Sequence, residues 1–167
     1  MLIFKGTSTH PVDSDNRFRI PDKFRYDLGQ NFIMTRGLGC VCIMRQDEFD
    51  ALAEKLYTMG DSFAAHIDPN FAKLQRYLFS GANPTATDKQ NRVTLNPELK
   101  KYAGIEKEVV VVGRGKFIEV WNPKRWEQYC QGELTADKVF DAVKAIAAPE
   151  AESGQALPQT GPADGND

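Results

Sequence analysis

Asp13-Ser14-Asp15-Asn16-Arg17 recurs as Asp88-Lys89-Gln90-Asn91-Arg92, 75 positions later. The same offset holds outward from the motif: Phe4 and Gly6 return as Phe79 and Gly81, and Gly29 returns as Gly104. A shift shared by residues on both sides of the motif means one supersecondary unit present twice. Each Asp-x-x-Asn-Arg run has the chemistry of a tight turn, in which Asp accepts hydrogen bonds from the backbone and Asn tolerates positive φ. Turn chemistry alone does not require the arginine that closes both copies.

Each copy reads in the same order. An apolar strand start, Ile3-Phe4-Lys5-Gly6 or Leu78-Phe79-Ser80-Gly81, leads through a polar stretch to the turn. After it, Arg17-Phe18-Arg19-Ile20 and Arg92-Val93-Thr94-Leu95 alternate as strands do, with Phe18, Ile20, Val93 and Leu95 inward and Arg17 and Arg19 sharing the outer face. A short helix follows, Pro21–Leu28 closed by Gly29 in one copy and Pro97–Ala103 capped by Asn96 and closed by Gly104 in the other. Hairpins come next: Phe32–Thr35 turns through Arg36–Gly39 into Cys40–Met44, and Glu108–Val112 turns through Gly113-Arg114-Gly115 into Phe117–Trp121. Across the hairpins the offset slips to 77, which implies two inserted residues.

Amphipathic helices close both copies. Phe49, Leu52, Ala53, Leu56 and Tyr57 form one stripe; Asn122 caps and Pro123 opens the second helix, with Trp126 and Tyr129 on its stripe. A linking helix capped by Asp68 turns Phe71, Leu74 and Leu78 inward. A last helix, Ala136 to Ala147, is capped by Thr135 and stopped by Pro149, with Val139, Val143 and Ile146 on one side. Glu150–Asp167, rich in Gly, Pro, Ala and acid without periodicity, is expected to be disordered.

The composition suits a foldable chain of modest charge. Its 167 residues are 41% hydrophobic and carry a net charge of -2, enough apolar surface for a core. No Lys or Arg lies beyond position 149, whereas four of the 23 acids do, so residues 1–149 hold 21 basic against 19 acidic side chains. That balance allows local basic patches without a strongly basic domain. The opening Met-Leu-Ile-Phe-Lys-Gly is too short for a signal peptide, and no stretch approaches a membrane span, so a cytoplasmic location is expected. Cys40, Cys42 and Cys130 imply no disulfide framework, and only His10 and His66 could complete a metal site, so the cysteines read as buried or spectator thiols.

Catalysis has no visible constellation: no Gly-x-Ser-x-Gly, no Cys–His pairing, and Gly-x-Gly pairs without the third glycine and following helix of a dinucleotide site. Two readings of the arginines compete. In one, a turn carboxylate holds the arginine and the pair locks the loop. In the other, the turn presents Arg17 with Arg19 to a DNA groove, while Lys5, Arg19, Lys23 and Arg25 hold phosphates.

Phe4-x-Gly6, Asp13-x-x-x-Arg17 followed by Ile20-Pro21, Thr35-Arg36-Gly37, Pro69…Leu74-Gln75-Arg76…Phe79-x-Gly81-Ala82, Asp88-x-x-x-Arg92, Tyr102-Ala103-Gly104-Ile105-x-Lys107-Glu108-Val109, Val112-Gly113 and Trp121-Asn122-Pro123-x-x-Trp126 together resemble the MraZ family. The resemblance covers residues 1 to about 130. It implies an α+β fold, an internally duplicated swapped-hairpin AbrB-like β-barrel forming a pseudo-dimer with flanking helices. It implies a ring-shaped homo-oligomer and a nucleoid-associated DNA-binding regulator, usually a repressor, of the division and cell-wall gene cluster. Double-stranded DNA with short promoter direct repeats is the implied partner, with no enzyme activity, cofactor or metal.

Carried onto this sequence, Arg17 reads the DNA, Asp13 orients the turn, Asn16 shapes it and Lys5 and Arg19 support it, with Asp88 and Arg92 in the second copy. The family turn commonly reads Asp-x-Lys-Gly-Arg; here Asp15 replaces the lysine, and Asn16 and Asn91 replace the glycine. Asn can still take the left-handed conformation, whereas Asp15 places a negative charge beside the phosphate path. The expected organisation is a first unit over residues 1–60, a linker helix over 61–78, a second unit over 79–131, a C-terminal helix over 132–149 and an acidic tail over 150–167. A ring that scaffolds protein partners, with structural arginines, is the alternative.

Overall fold

The computed structural model describes residues 1–60 and 63–148. The expected tail and the Pro149 stop lie outside the described residues. The first copy runs β1 (Phe4–Pro11), β2 (Arg17–Arg19), α1 (Asp22–Leu28), β3 (Asn31–Arg36), β4 (Val41–Arg45) and α2 (Gln46–Met59). Two linking helices follow, α3 (Phe63–Ile67) and α4 (Pro69–Ser80). The second copy repeats the series as β5 (Asn83–Ala86), β6 (Arg92–Thr94), α5 (Pro97–Ala103), β7 (Glu108–Gly115), β8 (Phe117–Trp121) and α6 (Pro123–Glu133), and α7 (Ala136–Ala147) ends the described chain.

The fold is α+β, antiparallel and internally duplicated, and its two copies are swapped into each other. Strand order in the six-stranded sheet is β1-β7-β8-β4-β3-β5, with β2 and β6 paired separately as a ribbon. Exchanging each strand for its counterpart in the other copy returns the same order read backwards, which is the mark of a pseudo-two-fold axis. The first strand of each copy pairs with the hairpin of the other, β1 on β7 and β5 on β3. The register places the axis on residues: Phe18 pairs with Val93, its own counterpart at offset 75, and Cys42 pairs with Glu119, its counterpart at 77. The two inserted residues fall between helix and hairpin. Only Gly29 and Gln30 separate α1 from β3, whereas Gly104 through Lys107 separate α5 from β7.

Local chemistry explains most boundaries. Asn96 and Asn122 each accept two helix N–H bonds, followed by Pro at the first helical position. Gly104 takes the left-handed C-terminal position at φ 65. One side of the sheet, the ribbon and helices α1 and α5 enclose the main core, in which Phe18, Ile20, Val93 and Leu95 are at most 1% exposed. The outer side of the sheet carries two satellite clusters, one of Cys40, Val110, Val112 and Trp121 with Trp126 of α6, the other of Ile33, Cys42 and Met44 with Phe49 and Leu52 of α2.

The structure departs from the sequence reading in several places. Leu78-Phe79-Ser80 end a helix instead of starting a strand. Asp68 accepts the N–H of Asn70, Pro69 nucleates the first turn, and the helical repeat continues to Ser80 before Gly81 stops it. Gly113 and Arg114 belong to β7 and not to the turn, which Gly115 (φ 68) and Lys116 make between the paired Arg114 and Phe117: Gly113 pairs with both Gly6 and Ile118, so strands on either side extend the ladder. Leu74, expected inward, is 41% exposed, Tyr57 of the expected α2 stripe is 64% exposed, and Thr135, expected to cap α7, makes no side-chain hydrogen bond to it.

Candidate nucleic-acid interface

Both turns are built alike, to within about a tenth of an ångström. Asp13 Oδ1 accepts the N–H of Asp15 and of Arg17 at 2.9 Å, while its Oδ2 accepts Arg17 Nε at 2.8 Å. Asp88 does the same for Gln90 (2.8 Å), Arg92 N–H (2.9 Å) and Arg92 Nε (2.8 Å). Asn16 and Asn91 both sit at φ 60, the left-handed region that Asn tolerates and β-branched residues do not. Three accepted hydrogen bonds favour the charged carboxylate. Asp13 and Asp88 are therefore held below the usual carboxylate range, first by the Arg17 and Arg92 N–H groups.

The swap brings the turns together. Ile20 N–H donates to Asn91 O at 3.0 Å and Leu95 N–H to Asn16 O at 2.8 Å, so each turn is tied to the strand leaving the other. Within the ribbon Arg17 lies opposite Thr94 and Arg19 opposite Arg92. Phe18 and Val93 point into the core, which sends Arg17, Arg19, Arg92 and Thr94 to the outer face. Like charges directly opposite in a ladder repel. An open cleft of about 420 Å³ is lined by Arg17, Arg19, Lys89 and Arg92 beside Pro11, Asp13, Phe18, Gln90 and Asn91. Four cations and one carboxylate line it. Asn91 is 5% exposed and its Oδ1 accepts no hydrogen bond from the described residues.

The two turns are not equivalent electrostatically. Arg17 is ion-paired twice, to Asp13 through Nε and to Asp15 through Nη2 at 3.1 Å. Arg92 is paired only to Asp88, through Nε, which leaves both terminal nitrogens without an ion-pair partner among the described residues. The second turn has Lys89 and Gln90 where the first has Ser14 and Asp15. The sequence does show that difference in charge.

The other expected residues scatter. Lys5 is exposed opposite Arg114, six residues and ~20 Å of strand before the end of β1, so it is not gathered with the turn. Lys23 reaches the backbone of Gly6, and Arg25 lines a separate exposed pocket with Tyr26 and Gly29. Arg19 pairs loosely with Asp22, at 3.6 Å. Two contacts had no sequence signal, because they join positions 84 and 69 apart: Lys100 Nζ donates to Asn16 Oδ1 at 2.7 Å, and Asn91 Nδ2 to Asp22 Oδ1 at 3.3 Å. His10 is pushed below its ordinary value by burial and by the nearby Arg19 and Lys23. Cys40 and Cys42 are free and buried, which pushes both thiols up, Cys42 to about 12. No group of His, Cys, Asp and Glu among the described residues could hold a metal ion.

The family model described as "MraZ protein, putative antitoxin-like" matches residues 3–68 and 78–144, one match for each structural copy. The chain belongs to the MraZ family. MraZ relatives of similar length support the assignment. "Transcriptional regulator MraZ" of Clostridium tetani (strain Massachusetts / E88) is 35% identical over 145 residues, covering 86% of this chain and 99% of that protein. The Clostridium acetobutylicum protein of the same name is also 35% identical with the same coverage, and that of Carboxydothermus hydrogenoformans is 36% identical over 149 residues, covering 83% and 98%. MraZ homologues are named as transcriptional regulators and not as enzymes. Among the described residues no helix is long and apolar enough to cross a membrane.

Proposed function

We propose that this chain is a sequence-specific DNA-binding transcriptional regulator, a repressor of the division and cell-wall gene cluster. It acts from a ring-shaped homo-oligomer in the cytoplasm, associated with the nucleoid, on short direct repeats in the promoter. The observation that carries this reading is the cleft of Arg17, Arg19, Lys89 and Arg92, assembled from turns 75 residues apart. Repulsion between Arg19 and Arg92 is relieved by an anion between them, which is the service a phosphate performs. Asp88 fixes the guanidinium through Nε and leaves the terminal nitrogens for a bidentate contact with guanine O6 and N7. Arg17 is the corresponding reader in the first copy, with Asp15 weakening its field. A ring repeats the weak contact along successive repeats and so raises affinity through effective concentration.

The ion pairs inside both turns favour a second reading, a ring that binds protein partners and uses the arginines only to brace its loops. Footprinting of the assembled protein on DNA upstream of its own gene separates the two. Regularly spaced protection that fades with salt supports the regulator. Unprotected DNA at low salt, from an intact oligomer, supports the scaffold.

A further inference from the structure

Two apolar surfaces of this chain lack cover, and they match each other. The first is α7, where Val139 (46% exposed), Phe140 (62%), Val143 (56%) and Ile146 (86%) form one stripe along a helix ~18 Å long. Every residue from Gln131 to Ala148 is exposed, so α7 stands off the body. The second is a groove of about 600 Å³ on the outer side of the sheet, between the two satellite clusters. Met44 and Val112 floor it, Leu74 and Tyr77 form one wall, and Trp126 and Tyr129 form the other.

The helices beside the groove leave it open. Thr35 on β3 is covered by α4, whose Leu78 carbonyl accepts the Thr35 hydroxyl at 2.8 Å. Its counterpart at offset 77 is Val112 on β7, which faces the groove. Val112 packs with Trp126 of α6, so α4 and α6 stand on either side of the groove and neither fills it. The charges correspond as well. Asp137 and Asp141 flank Phe140 on one edge of the stripe, and the groove rim carries Arg36 and Arg114. Arg36 makes no ion pair among the described residues, and Arg114 holds Glu119 only at 3.5 Å. Lys144, on the same edge as the aspartates, matches Glu119, the only carboxylate lining the groove among the described residues.

We propose that α7 of one subunit seats its Val139, Phe140, Val143 and Ile146 stripe in the Met44–Val112 groove of a second copy of this chain. Donor and acceptor surfaces differ, so the contact is head-to-tail and closes into a ring when its rotation permits. The inference rests on the homo-oligomer reading and supplies its subunit contact.

Sedimentation velocity of the full chain tests it, with Phe140→Asp on the helix and Leu38→Asp at the groove mouth, where Leu38 is 83% exposed. Neither side chain packs in the core, so circular dichroism should show an unchanged fold while each variant falls to a smaller species. A disulfide check uses co-expressed Val143→Cys and Leu74→Cys chains in a Cys130→Ser background, and predicts a cross-link between chains. Variants that keep the wild-type mass would overturn this contact and leave the oligomer standing. A cross-link formed within one chain carrying both cysteines, at monomer mass, would place α7 in its own groove and overturn the inference. A monomeric wild type would overturn both the contact and the ring.

Discussion

Gly113→Ala should unzip the swap at its tightest point. A Cβ at position 113 would lie 2.3 Å from Lys5 N and 2.5 Å from Phe4 C, whereas ordinary contact begins at 3.4 Å. The obstacle is backbone, so no side chain can rotate away, and β1 must shift by about 1 Å at a pair flanked by ladder on both sides. Overpacking of this kind costs up to ~3 kcal/mol. For a domain of this size that lowers Tm by about 6–12 °C. Gly132→Ala is the control: nothing lies within 4 Å of its Cβ, and it sits inside α6. It should gain ~0.5–1 kcal/mol from helix propensity. Thermal denaturation followed by circular dichroism reads both. A Gly113→Ala protein that melts with the wild type would mean that β1 does not lie on β7.

Two further outcomes follow from the turns and their surroundings. Asn91→Val forces a β-branched residue to φ 60 and should cost ~1–2 kcal/mol in chemical denaturation, while Asn91→Gly should be far milder; equal losses would refute the left-handed assignment. His10 has a folded pKa below its ordinary 6.5, so the unfolded chain takes up the proton first. Stability should therefore fall as pH drops from about 6.5 toward the folded value and be constant above it. His10→Gln should flatten that limb, and an unchanged pH profile would count against the burial and the cationic neighbours invoked.

Repetition made much of the fold legible before any coordinates. The two offsets, 75 at the turns and 77 at the hairpins, reappear as the residue pairs on the pseudo-two-fold axis, Phe18 with Val93 and Cys42 with Glu119. Caps at Asn96 and Asn122 were readable because they are local. The end of α4 and the length of β7 were not, since Leu78–Gly81 mimics Ile3–Gly6 in pattern and Gly113 looks like a turn until its partner strand is known. At the site, the turn residues and the outer-face arginines were legible from alternation alone. Opposition of Arg19 to Arg92, and the locking of Asn16 by Lys100, depend on the pairing of two copies and carry no local signal. Lys5 shows the converse: its nearness to Gly6 in sequence says nothing of its distance from the turn.

The deciding measurement is equilibrium binding of wild type, Arg17→Ala and Arg92→Ala to DNA upstream of the chain's own gene and to a shuffled sequence, across a salt series. If the turns read DNA, wild type prefers the natural sequence, each variant loses about tenfold or more of that preference, and the oligomer mass is unchanged. Lost phosphate contacts would also make the salt dependence shallower. Variants that bind both DNAs as wild type does, or that fall apart as oligomers, would make the arginines braces of the fold and contradict the regulator's proposed mechanism.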